Sequence, residues 1–252
     1  MTIRRYVFAG SSLSPPDKEA FPEIEFLPPV GEADILRLLD GQTAVIGIID
    51  GYFGDRRAVT HKEIVLAMAL GVTVFGAASI GALRAVELQQ YGMIGVGEVF
   101  ECYQSGRLND DGDVALLHGP AEMNYQALTI PLVEVAATLK ALEARDRISH
   151  QTARSLFQCA GRVHFAERTW GAVTASHSSD SRYALRLTEE LEAAHVERKR
   201  LDALAMLNQM RTAGGLAADR RPDLPPFTPY FLETLQRAGF AADDFIPRNQ
   251  LS

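Results

Sequence analysis

Two points where an apolar run gives way to a helix carry the polar side chains best suited to chemistry. Together they supply two carboxylates, an imidazole, a hydroxyl and two cations within about forty residues. Groups of these types in one crevice could bind an anion, transfer protons and stabilise a developing oxyanion. The residues are Asp50, His61, Lys62, Ser79, Arg84 and Glu87.

His61 opens the first of these helices. At about 100° per residue, Ile64, Val65 and Met68 define one apolar face, and His61 falls in the middle of it. We therefore expect the ring to point toward the sheet edge rather than into solvent. The helix N-terminus disfavours imidazolium, which favours a neutral histidine able to act as a base. The alternative is a core histidine that hydrogen-bonds backbone.

The neighbours of His61 have competing interpretations. Thr60 and Glu63 have the spacing of a capping box, with Glu63 on a different face from His61. Lys62 either faces solvent or reaches over the crevice as a cation. Asp50 ends an apolar run before a glycine, so it either hydrogen-bonds the turn that it starts or acts as a base in the site.

The second helix begins at Ile80 and carries two charges within its apolar arc. Arg84 and Glu87 are three residues apart, so they either neutralise each other or hold an anionic ligand through Arg84. Ser79 precedes the helix as a natural N-cap, next to amides that suit an anion or oxyanion. Its position resembles a nucleophile elbow, but the G-x-S-x-G sequence is absent.

Strand-like runs alternate with helical segments through the first 90 residues. This alternation predicts an α/β fold with a doubly wound, mostly parallel sheet. Ligands bind such sheets beyond the carboxyl ends of the strands. Ser11 directly follows the first predicted strand, so we expect it among the substrate-binding residues. The predicted strands are 5–10, 44–49 and 72–75, and the predicted helices are 32–39, 61–70 and 80–90, with a capped short helix after Ser14.

The second half of the chain is predicted to be helical. Helices are expected at 131–144, 149–158 and 182–211, followed by a loop at 213–229 rich in glycine and proline. The helix at 182–211 is strongly charged, and its charges, Lys199 and Arg200 included, are expected to form a solvated face. The layout is an α/β core at 1–120 and a helical C-terminal portion at 121–252 that completes or flanks it.

Composition argues against several classes of function. The formal net charge of -7 over 252 residues disfavours nucleic-acid binding. No apolar run approaches the length of a membrane span or signal peptide, so we expect a cytoplasmic protein. Neither a Walker A motif nor a G-x-G-x-x-G after a strand is present, and the two cysteines lack metal-ligand spacing. We expect no cofactor and no metal, and a solvated turn at Asp110, Asp111 and Asp113.

Several short motifs occur in one order and resemble the TfuA-like proteins, the partners of YcaO enzymes in peptide backbone thioamidation. They cover roughly the first three-fifths of the chain. Family members often have Met where Ile80 stands and Ser where Ala78 stands, which leaves Ser79 as the serine at this turn. The motifs are YVFAG at 6–10, IIDGYF at 48–53, HKE at 61–63, GAASIGALRAVE at 76–87, GMIGVG at 92–97 and HGPAE at 118–122.

The resemblance implies a role in sulfur delivery. The YcaO partner activates a peptide amide with ATP, and the TfuA-like protein recruits a thiocarboxylated ubiquitin-like sulfur carrier and releases its sulfur. The implied partners are therefore YcaO, the carrier and, indirectly, the precursor peptide.

On this hypothesis the predicted residues divide into two groups. Arg84 and Lys62 hold the thiocarboxylate, with Glu87 and Ser11 in the same binding site. The catalytic residues are Ser79, His61 and Asp50, with His61 or Asp50 activating water or Ser79. Two alternatives remain: a non-catalytic adaptor that docks on YcaO and activates it, and a small-molecule-binding doubly wound domain unrelated to sulfur.

Overall fold

The computed structural model describes residues 3–52, 56–213 and 221–245. Its five strands are β1 (Arg4–Phe8), β2 (Glu25–Leu27), β3 (Thr43–Ile48), β4 (Thr73–Ala77) and β5 (Ile94–Val96). They form one parallel sheet in the order β2-β1-β3-β4-β5, a doubly wound arrangement. The predicted α/β class is confirmed. Phe53 of the IIDGYF motif and residues 214–220 of the predicted loop lie outside the described residues.

Helices cover both faces of this sheet and form the C-terminal portion. One face packs against α2 and α3, and the other packs against α9. No helix among the described residues is both long and apolar enough to cross a membrane. The helices are α1 (Pro15–Glu19), α2 (His61–Ala69), α3 (Ile80–Leu88), α4 (Glu98–Gln104), α5 (Leu132–Glu143), α6 (His150–Arg162), α7 (Trp170–His177), α8 (Ser181–Ala193), α9 (Arg198–Thr212) and α10 (Pro229–Ala238).

The sheet order places a topological switch point between β1 and β3. From β1 the chain moves outward to β2, and then crosses to β3 on the other side of β1. The connections leaving β1 and β3 therefore diverge and open a crevice beyond their carboxyl ends. Residues 9–12 after β1 and Asp50 after β3 line this point, so the crevice lies where the sequence predicts it.

The predicted helix at 32–39 is wrong. Only a 3₁₀ turn forms, at Leu36–Leu38, because polar side chains hold the preceding residues in another conformation. Ala33 has a φ of 71°, and its N–H donates to the Glu63 carboxylate at 2.7 Å. The Asp34 carboxylate accepts from the Gly31 N–H at 2.8 Å. The sequence also did not predict β2, α4, α7 and α10, whereas the capping boxes at Ser14 and Thr60 are confirmed.

The predicted single helix at 182–211 is two helices, because its two halves pack against different partners. Helix α8 joins the cluster formed with α5, α6 and α7, whereas α9 packs on the sheet. The chain turns at 194–197, where the Val196 N–H donates to Thr138 Oγ1 at 3.0 Å. The Lys199 N–H donates to the Glu134 carboxylate at 3.2 Å. These side chains satisfy amides that an unbroken helix would have paired internally.

Candidate functional site

A cleft of about 1390 Å³ lies beyond the carboxyl ends of β1, β3 and β4. It brings together five of the seven predicted site residues: Ser11, Asp50, Ser79, Arg84 and Glu87. The other two, His61 and Lys62, line a neighbouring cleft of about 1060 Å³. Glu87 lines both clefts, so the two are separated by the side chains of α3.

Helix α3 packs onto the sheet so closely that glycine is required on both sides of the contact. A Cβ atom on Gly81 would lie 1.8 Å from the Ile48 carbonyl oxygen, and one on Gly76 would lie 2.1 Å from the Gly81 oxygen. Neither distance is compatible with a real side chain. The glycines of the GAASIG sequence therefore fix the start of α3 against the end of β3, where the cleft lies.

The turn between β4 and α3 presents Ser79 to the cleft. Ala78 is buried with a φ of 66°, and the Ser79 N–H donates to the Ala77 carbonyl at 2.7 Å across it. Such a turn is rare and strained for a residue other than glycine. Ser79 occupies the N-cap position, yet its hydroxyl makes no capping hydrogen bond and no other hydrogen bond with the described residues.

A buried cluster, here called the Asp50 corner, comprises Asp50, Lys199, Ser12 and Gly10. Asp50 is 4% exposed, and its carboxylate accepts from the Gly10 N–H at 2.9 Å, the Ser12 N–H at 3.0 Å and the Ser12 hydroxyl at 2.7 Å. Lys199 Nζ lies 3.5 Å from Asp50 Oδ1. The donors come from the loop after β1, so Asp50 does not hydrogen-bond the turn that it starts.

These contacts decide the charge of Asp50. Burial alone would raise the pKa of its carboxyl, but the Lys199 ammonium and the hydrogen bonds from Ser12 and Gly10 outweigh burial and hold the pKa below its usual value. The group is an anion at neutral pH with its oxygens engaged. A carboxylate in this state is a weak proton acceptor and a strong electrostatic anchor.

The predicted solvated face of Lys199 is wrong, and the sequence did not identify this residue as part of the site. The residue is 3% exposed and lines the large cleft, and its Nζ also donates to the Val114 carbonyl at 3.2 Å. One sequence signal could have identified it. Lys199 is in helical phase with Ala203, Met206 and Met210, which form the face of α9 that packs on the sheet.

A second cluster, here called the Glu87 cluster, joins α2 and α3 through His61, Arg84 and Glu87. Arg84 Nη1 donates to Glu87 Oε2, and His61 Nε2 lies 2.8 Å from the same oxygen. Burial would raise the pKa of Glu87, but the hydrogen bonds with His61 and Arg84 outweigh it and lower the pKa. The predicted Arg84–Glu87 pair therefore forms, while the Nε of Arg84 is buried without a partner among the described residues.

The expectation that His61 points away from solvent is wrong. Its side chain is 50% exposed, because the first residue of α2 lies at the edge of the helix packing and its ring reaches sideways to Glu87. His61 also lies in a different cleft from Ser79. Lys62 likewise turns from the large cleft, since its Nζ donates to the Pro226 carbonyl and to Thr228 Oγ1, both at 2.7 Å.

A different histidine shares the large cleft with Ser79. The Nδ1 of His118 lies 2.7 Å from the Gly119 carbonyl oxygen, which can only accept, so Nδ1 carries the proton in the neutral ring. The lone pair is then on Nε2, which has no hydrogen-bond partner among the described residues. His118 belongs to the HGPAE motif, which was the available signal. Within the described ranges, no three His, Cys, Asp or Glu side chains cluster as metal ligands.

The site residues fall largely within one matched stretch of sequence. The family model of TfuA-like proteins matches residues 50–169. These residues belong to the TfuA-like protein family. The TfuA-like segment contains Asp50, Ser79, His118 and the whole Glu87 cluster, whereas Ser11, Ser12 and Lys199 lie outside it. No curated protein is found to match the chain.

Proposed function

We propose that this chain is an accessory protein of YcaO-dependent peptide backbone thioamidation. It recruits a thiocarboxylated ubiquitin-like sulfur carrier and hydrolyses the thiocarboxylate to release sulfide. The TfuA-like segment supports the pathway. The observation that supports hydrolysis is the placement of Ser79 at the N-terminus of α3, in a cleft that also holds Arg84 and His118. The Ser79 hydroxyl makes no hydrogen bond with the described residues.

The reaction is an acyl transfer to water. A thiocarboxylate, R–C(=O)S⁻, and water give a carboxylate, R–COO⁻, and H₂S. Because the substrate is already an anion, attack on its carbon builds a second negative charge. Cations and helix N-terminal amides that face this carbon lower the barrier by stabilising that charge. Arg84 and Ile80, the first residue of α3, line the cleft in which such a charge would develop.

Two routes lead to the same products. In one, Ser79 Oγ attacks the carbonyl carbon, its proton passes to a base, and the C–S bond breaks so that sulfide leaves with that proton. Water then hydrolyses the acyl ester. In the other, water attacks directly. We favour His118 as the base in either route, because it lines the same cleft as Ser79, whereas His61 lines the neighbouring cleft.

The test is sulfide release from a purified thiocarboxylated carrier by this chain, in the absence of YcaO. We expect Ser79→Ala and His118→Ala to lower the rate by about 10²-fold or more, since each removes a reacting group. His61→Ala is the control and retains most activity. Mass spectrometry of quenched reactions distinguishes the routes, because only the covalent route gives an acyl adduct on Ser79. Release by both alanine variants at the wild-type rate would overturn the roles of Ser79 and His118, and no release above background by the wild type would overturn the hydrolase assignment.

One observation favours the alternative of a non-catalytic adaptor. No imidazole hydrogen-bonds the Ser79 hydroxyl among the described residues, whereas activated serines usually have a base within reach. An adaptor would release no sulfide alone yet accelerate thioamidation when YcaO is added. In that case Ser79→Ala would stimulate YcaO as well as the wild type does. A stimulation lost in Ser79→Ala would instead indicate a site completed in the complex.

A further inference from the structure

We propose that Lys199, from the C-terminal helix α9, is a catalytic residue that binds the anionic end of the carrier and stabilises the oxyanion formed on it. This inference rests on the proposed function and adds a residue from outside the TfuA-like segment. It means that α9 supplies part of the active site as well as covering the sheet.

The hydrogen bonds of Lys199 leave it able to take a ligand. An ammonium group has three N–H donors. One donates to the Val114 carbonyl, and a second faces Asp50 Oδ1. No partner for the third is found among the described residues. The residue lines the large cleft, so a ligand oxygen or sulfur there can accept the third hydrogen bond.

The charge of Asp50 does not depend on Lys199 alone. Lys18 as well as Lys199 interacts with the Asp50 carboxylate. The three hydrogen bonds to this carboxylate take up its oxygens. Of the two ammonium groups, that of Lys199 belongs to a residue that lines the large cleft, so it is the one that an anion there can contact.

The position of Lys199 suits the end of a polypeptide tail. It lies at the switch point between β1 and β3, where doubly wound folds bind ligands. Together with Ser11 and Leu116, it also lines a smaller cleft of about 360 Å³, so it stands in the wall between two openings. A tail that enters the large cleft would place its terminal group against this wall.

The other cations predicted to hold the substrate are engaged elsewhere. Lys62 binds the segment at Pro226 and Thr228, and Arg84 directs Nη1 to Glu87. Lys199 is the most buried cation lining the large cleft in the described part of the chain. Burial strengthens its interaction with a charge that develops nearby, because water does not screen it.

The experiment compares three variants with the wild type. Lys199→Met removes the ammonium, and the double variant Asp50→Asn/Lys199→Met removes both charges of the Asp50–Lys199 pair. The matched control is Asp17→Asn/Arg200→Met, which removes the bidentate ion pair next along α9 and does not touch the large cleft. Thermal unfolding is measured for each. Sulfide release is measured alongside binding of the carrier with a thiocarboxylate or an amide terminus.

We expect Lys199→Met to lower sulfide release by about 10²–10³-fold, as loss of an oxyanion donor does. The Asp50→Asn/Lys199→Met variant unfolds close to the wild-type temperature and stays inactive, and the control keeps its rate within about threefold. If Lys199→Met does not fold, the double variant decides the result. Recovery of activity in the double variant would make the pair structural and overturn the inference, as would an equal loss in the control.

The carrier-binding measurement tests the role of Lys199 independently of the proposed hydrolysis. If the wild type releases no sulfide, the hydrolase assignment fails, and carrier binding decides the role of Lys199. A wild-type preference for the thiocarboxylate over the amide terminus that disappears in Lys199→Met supports Lys199 as the anion-binding residue. An unchanged preference, or none in the wild type, overturns it.

Discussion

The Asp50 corner and the Glu87 cluster both hold a carboxylate against basic side chains, but they differ in burial and in origin. The Asp50 corner is almost fully buried and joins β1, β3 and α9. The Glu87 cluster joins two neighbouring helices, and its carboxylate is 35% exposed. Both line the large cleft, so a ligand there meets one rigid charged wall and one wall open to solvent.

Because the two clusters differ in burial, the loss of one partner is expected to cost different amounts of folding free energy in each. Removal of one partner from a buried pair leaves a charge without water or a counter-ion, which costs several kcal/mol. At the surface, water replaces the lost partner. The Asp50 corner is therefore expected to hold its geometry through binding, whereas the Glu87 cluster can exchange partners when an anion approaches Arg84.

The largest effect is expected from Asp50→Ala. It leaves the Lys199 ammonium and the Gly10 and Ser12 donors unpaired, so the free energy of unfolding should fall by about 3–5 kcal/mol. Urea denaturation followed by circular dichroism measures it. A loss below about 1 kcal/mol would mean that water reaches the corner and that the contrast with the Glu87 cluster is not one of burial.

Gly81→Ala tests the packing that positions both clusters around Ser79. The new Cβ would lie 1.8 Å from the Ile48 oxygen, so α3 must move, at a cost of about 3 kcal/mol. Gly161→Ala is the matched control, because Gly161 lies within α6 and, outside that helix, no atom of the described residues comes within 4 Å of its Cβ position. There alanine should stabilise the protein by up to about 1 kcal/mol. Equal thermal stability of the two variants would contradict the close packing of α3.

Asp17→Asn extends the comparison to the ion pair that holds α9 to α1. The hydrogen bonds from Arg200 outweigh burial and keep the pKa of Asp17 well below its usual 3.8. A carboxyl group whose pKa is lower in the folded than in the unfolded state stabilises the fold. This contribution is complete above the pKa of the unfolded state and declines as the pH falls below that value. The variant should lose about 2 kcal/mol at pH 7, and its deficit should shrink by about 1 kcal/mol at pH 3. A deficit independent of pH would rule out the ion pair as its cause.

The smallest effect is expected from Glu87→Ala, the surface counterpart of Asp50→Ala. Its partner His61 is half exposed, so the free energy of unfolding should change by about 1 kcal/mol or less. The same denaturation measurement applies. If this variant destabilises the chain as much as Asp50→Ala does, the Glu87 cluster is a structural element rather than an exchangeable one.

The sequence by itself determined the parallel α/β fold, the main strands and the location of the crevice. These follow from local signals: apolar runs, caps and the alternation of strand and helix, which need no knowledge of distant residues. The Arg84–Glu87 pair was predictable for the same reason, since residues three apart on a helix are neighbours.

Only the tertiary structure decided which residues share a cleft. Ser79 and His118 line the same cleft, while His61 and Lys62 lie in the neighbouring one. Lys199 reaches Asp50 because α9 returns to cover the sheet. The helix expected at 32–39 is absent for a similar reason, since Glu63 from α2 binds the Ala33 amide. Contacts between residues far apart in the chain depend on how the faces of the elements pack, and no local pattern contains that information.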